Sequence, residues 1–260
     1  MTSCSSDREK AEGLYKQAEA FVNEGNNEHA LVLLDSIDHT YPGEVDVRRE
    51  GMHLRPMAIE KITLAELSHT DSLLAVYSLK SDSIGKFIAK VDNPIEPYFV
   101  AAEFKDKSPV SAPGLYARIT PDGQFYILSS INKPVNSTSV TISLPDGTSA
   151  QSAIVPHDGE RNDKQGGAEI ITFMQAECDT IGVLATKNPS AKFMLVFNGG
   201  KQYSMPLPDN QLKALATMYE AASLFRNLKV LQIRKTHLEK QLELSRSQIA
   251  RTFNDKNQDN

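Results

Sequence analysis

Apolar positions change their period along this chain, and each change predicts a different kind of element. Over residues 8–40 they return every three or four positions, broken by Gly25-Asn26-Asn27. A helix does not tolerate such a turn cluster internally, so two helices are predicted. From Val45 to about Val91 breakers are few, and Ile59, Ile62, Leu67, Leu74, Tyr77, Ile84 and Ile88 recur mostly at spacings of three, four or seven. This predicts a long helix, with Pro56 and the stretch 81–85 as kinks or joints. Pro208 and Asp209 open a second long helix, in which Leu224, Leu228, Leu231, Leu238, Leu242 and Ile249 form a stripe near a 3.5-residue period. A stripe that narrow fits one partner helix. Antiparallel pairing of 45–91 with 209–254 is therefore expected, which would bring residues 91 and 209 together.

Between those helices the period falls to two. The stretches 98–102, 115–119, 124–131, 139–144, 150–155, 170–174 and 192–197 are short and rich in β-branched and aromatic residues. Asp122-Gly123, Asp146-Gly147 and Asn198-Gly199-Gly200 read as tight turns that use positive-φ residues. The pattern predicts an antiparallel β module, a small sandwich or curled sheet, with one helix over 179–186. The fold class is α+β: an N-terminal helical hairpin and two long helices forming an antiparallel coiled-coil stalk, with the β module inserted between them. The expected divisions are a tether over 1–7, the hairpin over 8–44, a long helix over 45–94, the β module over 95–207, and a second long helix with a polar tail over 208–260.

Within the hairpin, Leu14, Ala18, Phe21, Gly25, Ala30, Leu34 and Pro42 fall at the large, small, aromatic, glycine and closing-proline positions of a repeat of roughly 34 residues. Over Ala11–Glu44 the chain resembles a tetratricopeptide repeat, departing from it at Gln17, where leucine is usual. Small residues at Ala18 and Ala30 would let the helices approach, with Phe21 and Leu34 filling the groove. No second repeat follows. One repeat cannot bury its own face, so the next helix is the expected neighbour.

The composition, 40% hydrophobic and 23% charged, is that of a folded protein with a real core. A net charge of −5 and scattered cations exclude the basic field that nucleic acid requires. No apolar run approaches the ~20 residues of a membrane span. The two cysteines, Cys4 and Cys178, cannot form a disulfide framework if Cys4 is modified, and Cys178 is expected to pack as a small hydrophobe. Thr2-Ser3-Cys4-Ser5-Ser6 resembles the end of a bacterial lipoprotein signal, in which the cysteine carries the lipid, although no apolar segment of ~7–15 residues precedes it. That ending, the order of elements, and the segments 41–45, 155–159 and 251–253 resemble a group of Bacteroidetes cell-envelope lipoproteins of unassigned function. The resemblance implies lipid attachment at Cys4, an envelope location on the periplasmic or surface side, and a scaffolding role without cofactor or catalytic motif. If Met1 is the true start, a cytoplasmic adaptor is the alternative.

The best polar cluster is His157-Asp158-Gly159-Glu160-Arg161-Asn162, in the longest β connection. A histidine with two carboxylates can bind a metal or serve as acid and base, which gives the alternative of a hydrolase or metal-dependent enzyme. The spacing fits no ligand template, and turns are rich in Asp, Gly and Asn. The preferred expectation is a loop in which His157, Asp158, Glu160 and Arg161 contact a protein partner. Glu177-Cys178-Asp179 has no positioned histidine to activate the thiol. Three Asp-Ser/Thr-aliphatic triplets make Ser72, Ser83 and Thr180 candidates for the O-glycosylation seen in Bacteroidetes; a fourth, at Ser36, would place Ile37 in the repeat core. The expected partner is an envelope protein, with no nucleic acid, membrane contact only through lipid, and a homodimer through the long helices as a further option.

Overall fold

Helix-compatible sequence from Ser3 to Gly85 is interrupted at only two places. The computed structural model, which describes residues 3–258 and the side chains of 7–252, folds it into α1 (Ser3–Glu24), α2 (Asn27–Thr40) and α3 (Val45–Gly85). Seven strands follow: β1 (Ile88–Val91), β2 (Tyr98–Ala101), β3 (Gly114–Ile119), β4 (Phe125–Ile131), β5 (Ser137–Ser143), β6 (Ser149–Gln151) and β7 (Asn162–Gln165). Then come β8 (Ala168–Met174), α4 (Asp179–Lys187), β9 (Met194–Gly199), β10 (Gln202–Pro206) and α5 (Asp209–Gln258). The protein is α+β. It divides into two compact units, one up to Ala75 together with the chain from Leu231 onward, the other from Val76 to Val230.

In the first unit, α1 ends because Gly25 takes φ +85°, which lets Asn26 N–H reach Phe21 O at 2.8 Å and Gly25 N–H reach Val22 O at 3.4 Å. These two bonds satisfy carbonyls that a helix end leaves open. Ala18 and Ala30 are fully buried where α1 and α2 meet, with Val22, Leu34 and Ile37 around them. Val47, Leu54 and Ala58 of α3 complete this core, so the hairpin docks on the next helix as its lone repeat requires. Gly51 lets α3 pass close: a Cβ there would stand 3.3 Å from a Leu34 methyl. Arg55 bonds Asp35 and Asp38 at 2.5 and 2.8 Å, and Arg48 bonds Asp38 at 3.0 Å. Lys61 Nζ donates to Val22 O at 2.8 Å, a cation at the negative end of α1. Helix α3 runs on through Pro56, and residues 3–7, expected as a tether, lie in α1, since neither glycine nor proline precedes Gly13 to stop the helix.

The long helices pair antiparallel within this unit. Glu60 meets Arg246 at 2.8 Å and Asp71 meets Lys235 at 2.7 Å, so the position on α5 falls between these two pairs as that on α3 rises; Glu66 reaches Arg234 at 3.6 Å between them. Exposed pairs of this kind contribute only about 0.2–1 kcal/mol each, so they set register more than they stabilise. The seam is partly polar. Leu238 and Leu242 are buried, but so are Thr63, Thr70 and Ser245. Thr63 and Ser245 donate to the carbonyls of Ile59 and Gln241 on their own helices. Thr70 is 0% exposed and its hydroxyl has no hydrogen-bond partner among the described residues.

The second unit holds a six-stranded sheet, β1-β2-β3-β4-β8-β7, and a four-stranded sheet, β10-β9-β5-β6, with antiparallel neighbours throughout. The expected turns at Asp122-Gly123 and Asp146-Gly147 close β3–β4 and β5–β6, with Gly123 at φ +87° and Gly147 at +90°. Both sheets share one core, built on Phe125, Phe173, Phe197, Leu115, Ile127 and Ile142. Residues 114–117 of β3 are all buried, and successive side chains point to opposite faces, so both faces of this strand are covered.

Three expectations are corrected here. The helix predicted over 45–94 stops at Gly85: Phe87 N–H turns back to Ile84 O, Ala102 N–H bonds Phe87 O, and Ile88–Val91 pair with Tyr98–Ala101. The Ile84–Ile88 spacing mimics a helix turn, yet Ile88 to Val91 is a short alternating run that a sheet edge takes up. The first half of α5 is not a narrow stripe; Leu212, Leu215, Met218, Ala221 and Ala222 form a wide face buried in the β-unit core. Gly199 is needed for space rather than positive φ, since a Cβ there would fall 2.0 Å from Asn136 O. Strands β7 and β10 also lie in stretches that the alternation did not mark.

A buried hydroxyl without a partner is destabilising, whereas valine has nearly the same shape without the polar atom. Thr70→Val should therefore raise stability by about 1 kcal/mol in urea unfolding. Thr63→Val, which removes a bonded hydroxyl, should gain less; equal gains would mean that the environment of Thr70 is wet.

Candidate functional site

The connection between β6 and β7 carries the polar cluster, and it is tied down at several points. Ser152 N–H bonds Val140 O at 2.9 Å and Val155 N–H bonds Thr138 O at 2.8 Å, so the chain keeps following β5 after β6 ends. Ala153 N–H bonds Glu177 O at 2.8 Å. Val155 is buried. At the far end Asn162 is buried too, and its Nδ2 donates to Ser137 O and Val155 O, each at 2.9 Å. One side chain thus joins β7 of one sheet to β5 of the other and to the connection itself.

Asp158 organises the turn. Its Oδ1 accepts from the amides of Glu160, Arg161 and Asn162 at 3.0, 2.8 and 3.0 Å, around Gly159 at φ +74°. The Asn162 amide first, and the Glu160 amide next, hold this carboxyl below the usual value of 3.8 by favouring its charged form. Arg161 Nη1 lies 2.9 Å from both Glu177 oxygens, and Glu177 Oε2 also accepts from Met174 N–H at 2.8 Å. Two of the four residues expected to meet a partner, Asp158 and Arg161, therefore hold the loop.

What remains free is a small outward set. His157 and Glu160 are exposed and make no ion pair among the described residues, and Ile154, in the same segment, is 70% exposed. An isoleucine placed outward on a pinned chain supplies the hydrophobic contact that the polar cluster lacks. Among the described residues no group of three or more His, Cys, Asp or Glu side chains is arranged to hold a metal ion.

The other candidates are scattered. The side chain of Cys4 lies outside the described residues. Ser72 and Ser83 are exposed on α3, with Ser72 Oγ donating to Ser68 O at 2.9 Å. Thr180 is exposed in the first turn of α4, its hydroxyl donating to Gln151 O at 3.0 Å. Ile37 is buried in the repeat core, which argues against a glycan on Ser36. Burial, and secondarily Asp179, push the Cys178 thiol far above its usual range, so it packs as an inert apolar group. No helix among the described residues is long and apolar enough to cross a membrane.

Sequence reasoning placed Asn162 in the polar cluster but not its anchoring role, and missed Ile154 and Glu169, whose carboxylate bonds the amides of Asn136 and Ser137 at 2.9 Å each. Polar residues whose partners lie 25 to 33 positions away leave no local signal. An α+β protein with a preorganised β6–β7 connection is what fold and site together define. No protein-family model, curated protein or solved structure matches the chain.

The lowered pKa of Asp158 fixes the sign of a pH effect. The loop contacts are fully present above the ordinary carboxyl value of 3.8 and are lost as pH falls through the lower folded value. The amide resonances of Glu160, Arg161 and Asn162 should shift together in acid with a midpoint below 3.8, and Asp158→Asn should abolish that common titration. A midpoint at or above the ordinary value would show that the carboxylate does not cap these amides.

Proposed function

We propose that this protein is a non-enzymatic envelope component, lipid-anchored at Cys4, which captures a protein partner through the β6–β7 connection. The observation that carries the binding role is the pairing of a loop pinned by Asn162, Asp158 and Arg161 with the outward side chains of Ile154, His157 and Glu160. Recognition residues gather on loops borne by rigid scaffolds, and a loop ordered before binding loses little further entropy. The repeat-like α1–α2 hairpin and the α3–α5 pair suit a scaffold.

The partner contact is a small apolar anchor ringed by charge. Substituting Ile154→Ser, His157→Ala and Glu160→Ala together should leave the thermal midpoint within about a degree of wild type, since all three are exposed. Capture of the partner from envelope extracts should be lost, and high salt should weaken the wild-type interaction in part. Equal capture by the triple variant would sink the assignment of the loop.

Anchoring has its own test. The Thr2-Ser3-Cys4 ending supports acylation, and stable attachment needs more than one acyl chain. Expressed with its genomic upstream sequence, the wild type should fractionate with membranes and Cys4→Ala should be released. Identical fractionation of the two would remove the lipid from this account.

A further inference from the structure

A cleft beside the β2–β3 end of the β unit gathers positive charge with aromatic rings. Its lining includes Tyr98, Phe104, Lys105, Lys107, Tyr116 and Arg118, and no carboxylate. The Arg118 guanidinium lies over the Tyr98 ring, 4.1 Å from its centroid, and Lys107 Nζ lies 4.6 Å from the centroid of Phe104. Lys105, Lys107 and Arg118 make no ion pair among the described residues, whereas the nearby Lys90 holds Asp92 at 2.8 Å. Like charges lining one cleft repel one another, so an anion bound there relieves that repulsion.

We propose that this cleft binds a phosphate monoester. Three cations match a doubly charged group with three terminal oxygens better than they match a single carboxylate, and a planar guanidinium suits phosphate geometry. The aromatic contacts hold Arg118 and Lys107 in place, so their charged ends are positioned before the ligand arrives. The enclosed space is only about 20 Å³, room for a water-sized group. One phosphate oxygen fits inside while the rest of the ester stays at the mouth, so the site reads the phosphate and tolerates many bodies behind it. A free sugar phosphate and a lipid headgroup share this chemistry. The site is independent of the loop that carries the proposed partner contact.

The full chain, titrated at low ionic strength with inorganic phosphate, glucose 1-phosphate and phosphatidylcholine vesicles doped with phosphatidate, tests this. Saturable binding is expected and should weaken at least about tenfold in Lys105→Gln/Lys107→Gln, as loss of charge-assisted contacts implies. Both lysines are exposed, so the ligand-free thermal midpoint of that variant should match wild type. Arg118→Gln should weaken binding separately. A response to the vesicles alone supports a lipid headgroup, and one to glucose 1-phosphate alone supports a soluble ester. Absence of saturable binding to all three probes overturns the proposal. So does wild-type affinity in the double variant, or binding of glucuronate as tight as that of glucose 1-phosphate.

Discussion

The β unit turns on a carboxylate that reaches from one sheet to the other. At the start of β5 the ladder to β9 shifts register between Ser137 and Ser139, and Asn136 takes φ +50°. Such a bulge leaves consecutive amides without strand partners. Glu169 of β8 supplies both of its oxygens to the Asn136 and Ser137 amides. Each of these donors, left unpaired, would cost roughly 1–3 kcal/mol, and a buried carboxylate with empty lone pairs would be worse placed still. Amides and carboxylate therefore need each other. Their meeting also explains Gly199, which has no room for a side chain above Asn136, and Asn162, whose amide enters the same region to bond Ser137 O. The β6–β7 connection takes its position from this junction.

Helix α5 shows how one element can serve two environments. Its first turns present alanines as well as Leu212, Leu215 and Met218, a wide face that a sheet core can cover. Its later turns bury Leu238, Leu242 and Ser245, a stripe suited to one helix. The leucine spacing made the second role legible. The first was not, because alanine is weak evidence of burial on its own and becomes informative only once a sheet is known to lie against it. Edge strands escaped for a related reason: Asn162-Asp163-Lys164-Gln165 has no apolar alternation, and it pairs with β8 because that neighbour is already held in the core. The central strands and the Asp-Gly turns were legible because their chemistry is local. Likewise the location of the loop could be read from its turn residues, but its anchors could not, since their partners are distant in sequence.

The seam between α3 and α5 combines weak packing with firm specification. Threonine and serine at Thr63, Thr70 and Ser245 bury less apolar area than leucines would, so each layer contributes less than the ~1.5–3 kcal/mol of a fully buried aliphatic side chain. The ion pairs of Glu60 with Arg246 and Asp71 with Lys235 agree on one direction and one register. Leu238 and Leu242 are buried within a single chain. A homodimer through this part of the helices would have to use other surface, such as the exposed Ile233 and Leu244.

Holding the β6–β7 connection in place has a direct consequence for binding. Fixing a residue's backbone costs about 1–2 kcal/mol, a loss that a flexible loop incurs when it meets its partner. Here the loss has been absorbed in folding: Val155 and Asn162 are buried, Asp158 holds three amides, and Arg161 is clamped by Glu177. A contact built on Ile154, His157 and Glu160 needs only to order side chains. A surface of that size is too small to drive association from a disordered start, yet on this frame nearly all of its apolar and electrostatic gain is available for affinity. The same frame keeps Asp158 in its charged form, because three amides donate to its Oδ1.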